Sequence, residues 1–546
     1  MLFLDARSAF DTVVSKFLVR NLYFAGMKGN SLLYMDNRLC NRLTYCSWEQ
    51  ELMGPIKDEH GLEQGGCNSS DGYKIYNNEL LIALQKSGQG VDIGKGVVIS
   101  GIGQADDVCL VSNNIYNLYN LLHLTLSYCN RYNVELCAEK TKLLCFPASK
   151  NPANLLYNPI KINEQQINFS NQAEHVGVIR SPTGNMPHLL GRFSAHRKAL
   201  GGVLSAGVAR NHRGNLAAVM KVEKLYAVPV LLSGVASLVL TSLEENMLDQ
   251  HYISTLRNLL KVYNGTPRSF VLFMGGSLPA SALLNLRQLS LFSMICRLPH
   301  NPLHARAIFS LTAAKPSSKS WFIKLRSTCQ MYGLPHPLTL LRDPPPKEVF
   351  KKTVKSHIMN FWEEKLRAEA SLLPSLQFFN SNFHSLARPH PLLLTPGSNP
   401  HEVSKAVIQC KMKSGRYRTS LLSRHWSPNN PQGHCPAPTC HEIPESLEHL
   451  LIHCHYYHQA RTSLVRLWTR PTTSPAVLDL LTSILSGPTY KLLCFILDPA
   501  TNPESINLCQ IYGQEMLKTL FYLTRTWCFT MHRERQKLLK TWNFLS

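Results

Sequence analysis

Two acids stand side by side in GIGQADDVCLVS, Asp106 and Asp107, between short apolar runs and with no basic neighbour in sequence. Ionised together they repel, so a cation from outside the chain is the simplest reason to set them there. Mg²⁺ fits the chemistry: it takes hard oxygen ligands in octahedral geometry and is held by one or two carboxylates plus substrate phosphates. A third carboxylate would complete a two-metal clamp, in which one ion activates an attacking hydroxyl and the other steadies a leaving phosphate. Asp5 is the candidate, because MLFLD reads as an apolar strand ending in an acid just before a helix. The rival reading is a solvated pair of turn residues, and the pair alone does not decide.

A second constellation lies far downstream. In GHCPAPTCHEIPESLEHLLIHCHYY, Cys435, Cys440, His449 and Cys454 are spaced C-x4-C-x8-H-x4-C, four ligands suited to one tetrahedral Zn²⁺. His449 and Cys454 fall on an expected helix opened by Pro444, where their five-residue separation reaches one ion only if the helix frays. His453 is a rival ligand, and His434, His441, His455 and His458 are further alternatives. A His-rich helix with unrelated thiols is the other reading.

The elements that must position these groups follow from patterning. Over the first 150 residues, short apolar runs (MLFL, GVVISGIG, VCLVS, LLCF) alternate with amphipathic stretches, as in α/β or α+β domains. Val13, Phe17, Leu18 and Phe24 recur at helical spacing before Gly26, and Tyr73, Tyr76, Leu80, Leu81 and Leu84 do so behind an N-cap expected at Ser70 or Asp71. From about 195 the pattern is mainly helical. GLPHPLTLLRDPPPKE and ARPHPLLLTPGSNPHE read as linkers flanking a helix in VFKKTVKSHIMNFWEEKLRAEA. Boundaries are expected at 1–185, 186–330, 331–400 and 401–546, and no internal repeat is seen.

The 546 residues carry 57 Lys+Arg against 35 Asp+Glu, a formal +22, which suits a polyanion-binding surface. Sixteen cysteines without a regular spacing suit a reducing cytosol or nucleus rather than a secreted scaffold, and the acid at position 5 excludes a secretory signal. Leu225 to Leu243 runs without a charge for nearly a membrane span, but Pro229, Gly234 and several Ser/Thr favour a buried hairpin or helix, so no membrane is expected. The basic stretch KMKSGRYRTSLLSRHW, interleaved with Tyr417 and Trp426, has the makings of a phosphate-binding, base-stacking surface, or of a solvated helix whose aromatics are core.

Taken in order, FLDARSAFDTV, GLEQGGCNSSDGYKIYNNEL, GQADDVCLVS and LCAEKTKLLCF resemble the successive palm motifs of reverse transcriptases of the non-LTR retrotransposon type, over about the first 180 residues. The resemblance implies an α+β fold: a right-hand polymerase palm, a helical thumb and connection, and a small Cys/His zinc-binding C-terminal module. It implies RNA-directed DNA polymerase activity on an RNA template, a DNA primer and deoxynucleoside triphosphates, with two Mg²⁺ held by Asp5, Asp106 and Asp107. Phe10 matches the aromatic that floors the sugar pocket, where a flat ring excludes a 2′-hydroxyl; a core helix residue is its other reading. Gln64 and Gly65 match the pair near the incoming nucleotide and template. Ser69 matches a loop-to-helix serine or is no more than a cap, and Lys140 matches a lysine that steadies or protonates the pyrophosphate leaving group or is simply solvated. NQAEHVGVI resembles the turn that grips the primer end, with Val176, Gly177 and Val178 in a hairpin. Glu448 to Cys454, an acid followed by H-L-L-x-x-C, is similar to the Cys/His knuckle found after these polymerases, although the usual first pair is closer than Cys435 and Cys440.

Departures accompany the likeness. Gln104 stands where an aromatic is usual, and Ser70 where a proline is. The chain begins four residues before Asp5, which the resemblance reads as truncation ahead of the first catalytic motif: a fingers region would lie upstream, and Met1 would be an internal methionine. The alternative function is a catalytically inactive, nucleic-acid-binding remnant of such a polymerase. Either would work inside the cell, in nucleus or cytoplasm.

Overall fold

Leu2–Leu4 is an apolar strand because both of its faces are covered. Leu2 and Leu4 pack with Leu80, Leu84, Leu118, Leu121 and Leu122, while Phe3 points the other way onto Cys109, Leu144 and Ala173. That is the two-residue period of a strand. The computed structural model describes every residue except 41, 59, 64, 95, 148–158, 206–214, 316–317, 428, 441, 471–472 and 544–546. In it Leu2–Leu4 lies inside a four-stranded sheet, ordered Lys142–Leu143, Leu2–Leu4, Asp107–Leu110, Gly101–Gln104, with every neighbour antiparallel. Leu4 pairs with Val108, so the next residues along, Asp5 and Asp107, face each other beyond the strand end. Gln104 pairs with Asp107, leaving Ala105 and Asp106 as a two-residue turn.

The expected helices cover this sheet. Ser15–Phe24 stops before Gly26, whose φ of +103° few other residues adopt. Ser69–Lys86 begins a residue earlier than the expected cap: Asn68 precedes it without a capping side chain, and Asp71 instead pairs with Lys74 at 2.9 Å. Ile115–Tyr132 is capped by the Asn114 side chain, which accepts from the Tyr116 amide, and ends at left-handed Asn133.

Beyond Arg180 the chain is largely helical, and one apolar core runs continuously from Val178 to Cys410 and reaches Phe521. The proline-rich stretches read as linkers are in fact packed into it. Leu340, Leu341, Leu392 and Leu393 are buried, and Pro337 and Pro391 each open a short helix, since the missing N–H of proline costs nothing in a first turn. Lys347–Ser371 is the expected helix, burying Phe350, Val354, Ile358, Trp362, Leu366 and Ala370.

The uncharged Leu225–Leu243 stretch is neither one helix nor a hairpin: it breaks into a π turn at Glu223–Ala227, a short helix at Val228–Leu231 and a 3-10 turn at Val235–Ser237. Among the described residues no single helix is long and apolar enough to cross a membrane; Arg268–Gly275 and Ala280–Cys296 pass such a test only as a pair bent by 59°. Phe270, Leu272, Leu289 and Phe292 of that pair lie fully buried in the helical core. A second core, from Met412 to Leu538, holds the C-terminal cysteines and rests on the final helix, Gln514–Asn543.

Candidate active site and metal centres

Asp5, Asp106 and Asp107 lie at the same end of the two central strands of the small sheet, near enough for the charges of Asp5 and Asp107 to act on Asp106. The Asp5 carbonyl accepts from the Cys137 amide at 2.8 Å, which fixes the backbone where the strand ends. Asp5 Oδ2 is buried and accepts no hydrogen bond among the described residues, and its nearest cation is Lys140 Nζ at 3.6 Å. Burial raises the Asp106 carboxyl above its ordinary range, and repulsion from Asp107 and Asp5 adds to this against a backbone hydrogen bond. An under-bonded carboxylate oxygen beside two like charges is a donor set with room for a hard cation. When bound, such ions polarise phosphate oxygens and lower the pKa of a hydroxyl.

Asp5 and Asp107 line a cleft of about 400 Å³ with Glu139, Lys140, Lys142 and His175. Asp106 does not line this cleft, but is close enough to Tyr73 for its charge to help burial raise that phenol. Tyr73 in turn stacks on Phe10, ring centroids 4.9 Å apart at 30°, so the half-buried Phe10 ring has a rigid backing. Gly65 has φ +86°, a backbone that glycine alone adopts at ease, and Gln64 lies outside the described residues. Ser69 is a first-turn residue of its helix rather than its cap: a Cβ on Gly66 would come within 2.6 Å of its Oγ.

The hairpin expected around Val176, Gly177 and Val178 is a two-stranded pair, Ala173–His175 with Val178–Arg180, turning through Val176 and Gly177 at φ +51° and +70°. A β-branched residue in the left-handed region is uncommon. Its effect is local and useful, because it aims the Val176 amide at Asp107 Oδ2, 3.3 Å away. Sequence reasoning named the turn but missed His175, whose imidazole burial pushes down while the charge of Asp107 opposes the shift. An imidazole next to a hairpin glycine carries no signal in the chain itself.

The downstream cysteines form a compact group. The ligand atoms of Cys435, Cys440, His449 and Cys454 all lie within 4.8 Å of one another, with Cys454 Sγ 3.8 Å from Cys435 Sγ and 3.4 Å from Cys440 Sγ. Thiolates on a tetrahedral zinc at ordinary bond lengths stand about 3.7 Å apart, so the donors fit. The five-residue separation is resolved by a π turn at His449–His453, in which the Cys454 amide donates to the His449 carbonyl at 2.8 Å. A π turn closes every five residues, which brings His449 and Cys454 onto one side where an α-helix would not.

His449 Nε2 is buried without a hydrogen-bond partner among the described residues, whereas His453 is exposed and pairs with Glu448. His455 and His458 are exposed, His434 is not in the group, and His441 lies outside the described residues. Contact with the Cys435 thiol pushes the pKa of Cys454 down to about 4, which favours a thiolate there. Glu445 ties the knuckle to the last helix through a buried bidentate pair with Arg535 at 2.7 and 2.8 Å.

A third group, His384, His390 and Asp498, has metal-like spacing, but the Lys413 ammonium lies on both Asp498 and His390 and serves as its cation. All four side chains are buried.

The three acids at the strand ends, the Phe10–Tyr73 stack and the hairpin turn belong to a segment whose fold is polymerase-like. Residues 1–178 match the family described as reverse transcriptase (RNA-dependent DNA polymerase), and by descent this segment is an RNA-directed DNA polymerase. No curated protein matches the chain.

Proposed function

We propose that the chain is the polymerase of a non-LTR retroelement, extending a DNA primer on an RNA template. The placement of Asp5, Asp106 and Asp107 at one end of the two central strands, inside the matched segment, carries the reading. Two Mg²⁺ would be held by these acids, and the family's general use of Mg²⁺ supports that choice. The chain's own residues do the rest. Val176 N–H orients Asp107, Phe10 backed by Tyr73 floors the sugar, and Lys140, released from Asp5, faces the departing pyrophosphate. One Zn²⁺ on Cys435, Cys440, His449 and Cys454 would hold the C-terminal module, and sixteen free thiols suit an intracellular, reducing setting.

The excess of 22 positive charges supports contact with the template and primer backbones, so binding should weaken steeply with salt. Primer extension on an RNA template with Mg²⁺, comparing the wild type with Asp106→Asn, tests the reading. Extension by the wild type alone supports it. Retained RNA binding without extension by either protein would identify an inactive remnant instead.

A further inference from the structure

Tyr73 and Asn77 stand four residues apart on the Ser69–Lys86 helix, and so on one face of it. Both are buried, at 2 % and 6 % exposure. Each touches a different part of the site. The Tyr73 ring backs Phe10 at 4.9 Å, while Asn77 Nδ2 donates to the Ala105 carbonyl at 3.0 Å. Ala105 is the left-handed residue, φ +54°, that opens the two-residue turn and immediately precedes Asp106. The next turn of the helix meets the same hairpin: a Cβ on Gly103 would lie 3.2 Å from Leu81.

We propose that this helix face is a positioning device, in which Asn77 fixes the turn bearing Asp106 and Asp107 while Tyr73 fixes the height of the Phe10 ring. One rigid element thereby sets the distance between the metal-binding acids and the floor of the sugar pocket. The inference rests on the nucleotidyl-transfer reading of these acids. Its physical basis is that a left-handed alanine has no preference of its own for this geometry, so a buried amide on its carbonyl decides the turn. An aromatic floor likewise excludes a 2′-hydroxyl only if it cannot retreat, and Tyr73 closes the retreat. Asn77 and Tyr73 are positioning residues; neither meets the substrate.

The test uses the full chain and two binding measurements that need no turnover. Calorimetry with Mn²⁺ compares wild type, Asn77→Leu, Asn77→Ser and Asp106→Asn. Equilibrium binding of dGTP and GTP to the protein on an RNA template with a dideoxy-terminated primer compares wild type, Tyr73→Leu and Tyr73→Phe. Asn77→Leu should weaken Mn²⁺ binding about tenfold with primer–template affinity unchanged, and Asn77→Ser, which keeps a shorter donor, should fall between. Tyr73→Leu should reduce the preference for dGTP about tenfold, and Tyr73→Phe, which keeps the stack, should match the wild type. Mn²⁺ uptake lost in Asp106→Asn but intact in Asn77→Leu overturns the inference alone, as does an unchanged preference in Tyr73→Leu. Uptake intact in Asp106→Asn removes the reading of the acids, and the inference with it.

Discussion

Four ligand atoms at Cys435, Cys440, His449 and Cys454 lie within 4.8 Å of one another, whereas the three acids at the end of the central strands form no such group among the described residues. The difference follows from charge. A Cys454 thiolate beside the Cys435 and Cys440 thiols is attracted to their hydrogens rather than repelled, so packing around Leu450, Leu451 and Tyr457 draws the knuckle together. Carboxylates crowd only at a cost: at Asp106, repulsion from Asp107 and Asp5 adds to the larger effect of burial in raising the carboxyl. On the proposed function, the first site would hold a resident ion, and the second would take ions that arrive with a triphosphate whose oxygens complete their shell. The His384–His390–Asp498 cluster marks a third solution, in which Lys413 supplies the positive charge from within the chain.

The knuckle should break first and hardest. Structural zinc contributes about 10–16 kcal/mol of apparent binding free energy in isolated finger peptides. A prebuilt packed core lessens its share here, so we expect chelation, or Cys454→Ser, to cost at least about 3 kcal/mol. In a module of this size that is a fall in melting temperature of about 10 °C. Metal analysis should find one zinc per chain. A zinc-free protein with unchanged melting would reduce the four ligands to ordinary core thiols.

Removing a catalytic acid should do the reverse, taking chemistry and leaving the fold. Asp106→Asn should slow primer extension about 100- to 1000-fold, the usual scale for one lost electrostatic contact to a transition state. Single-turnover extension with saturating primer reads the loss. Equal rates would place the metals elsewhere.

How much of this was legible in the chain depends on what each feature is made of. Gly65 was matched only through the resemblance, whereas the strand-end position of Asp5 was readable because an apolar run closing on an acid leaves its mark in residue type. The Tyr73–Phe10 stack and the Asn77–Ala105 bond were not, because they depend on the phase of a helix against a distant turn. The spacing of His449 and Cys454 signalled a departure from an α-helix without saying that a π turn would make it. Nothing in the sequence marks Lys413 and Asp498 as a buried pair, since a charge is buried only when its partner is, and that partner lies 85 residues away. Proline suggested linkers because it serves equally in a loop and in the first turn of a helix, and only the burial of the leucines after it separates the two.

Acid sharpens the comparison at a smaller scale. Burial pushes His390 down to about 3, and His251 and His532 down to about 4. Unfolded, each titrates near 6.5, so below that value the unfolded chain binds more protons than the folded one. The stability they contribute is complete above about pH 6.5 and is lost as pH falls through 4 toward 3. Each adds a slope of up to about 1.4 kcal/mol per pH unit inside that window. Urea midpoints should fall between pH 6.5 and 4 in the helical and C-terminal parts; a flat profile would mean these imidazoles are not buried neutral.

The smallest effect is the most pointed, because its sign reverses with metal. Without Mg²⁺, the Asp106 carboxylate is disfavoured in the folded protein by burial and by Asp107 and Asp5, and Asn removes that penalty. Solvent screens this half-exposed turn, so Asp106→Asn should gain only about 0.5 kcal/mol in chelator. Mg²⁺ binds the folded state alone, so adding it stabilises the wild type in proportion to occupancy while the variant gains little. The two denaturation midpoints should cross as Mg²⁺ is raised. No such crossing is available to Cys454→Ser, which should be the less stable protein both with zinc and without it, because its thiolate is already favoured by the neighbouring thiols. Parallel midpoints for Asp106→Asn at every Mg²⁺ concentration would show that the acids repel one another for no ion's benefit.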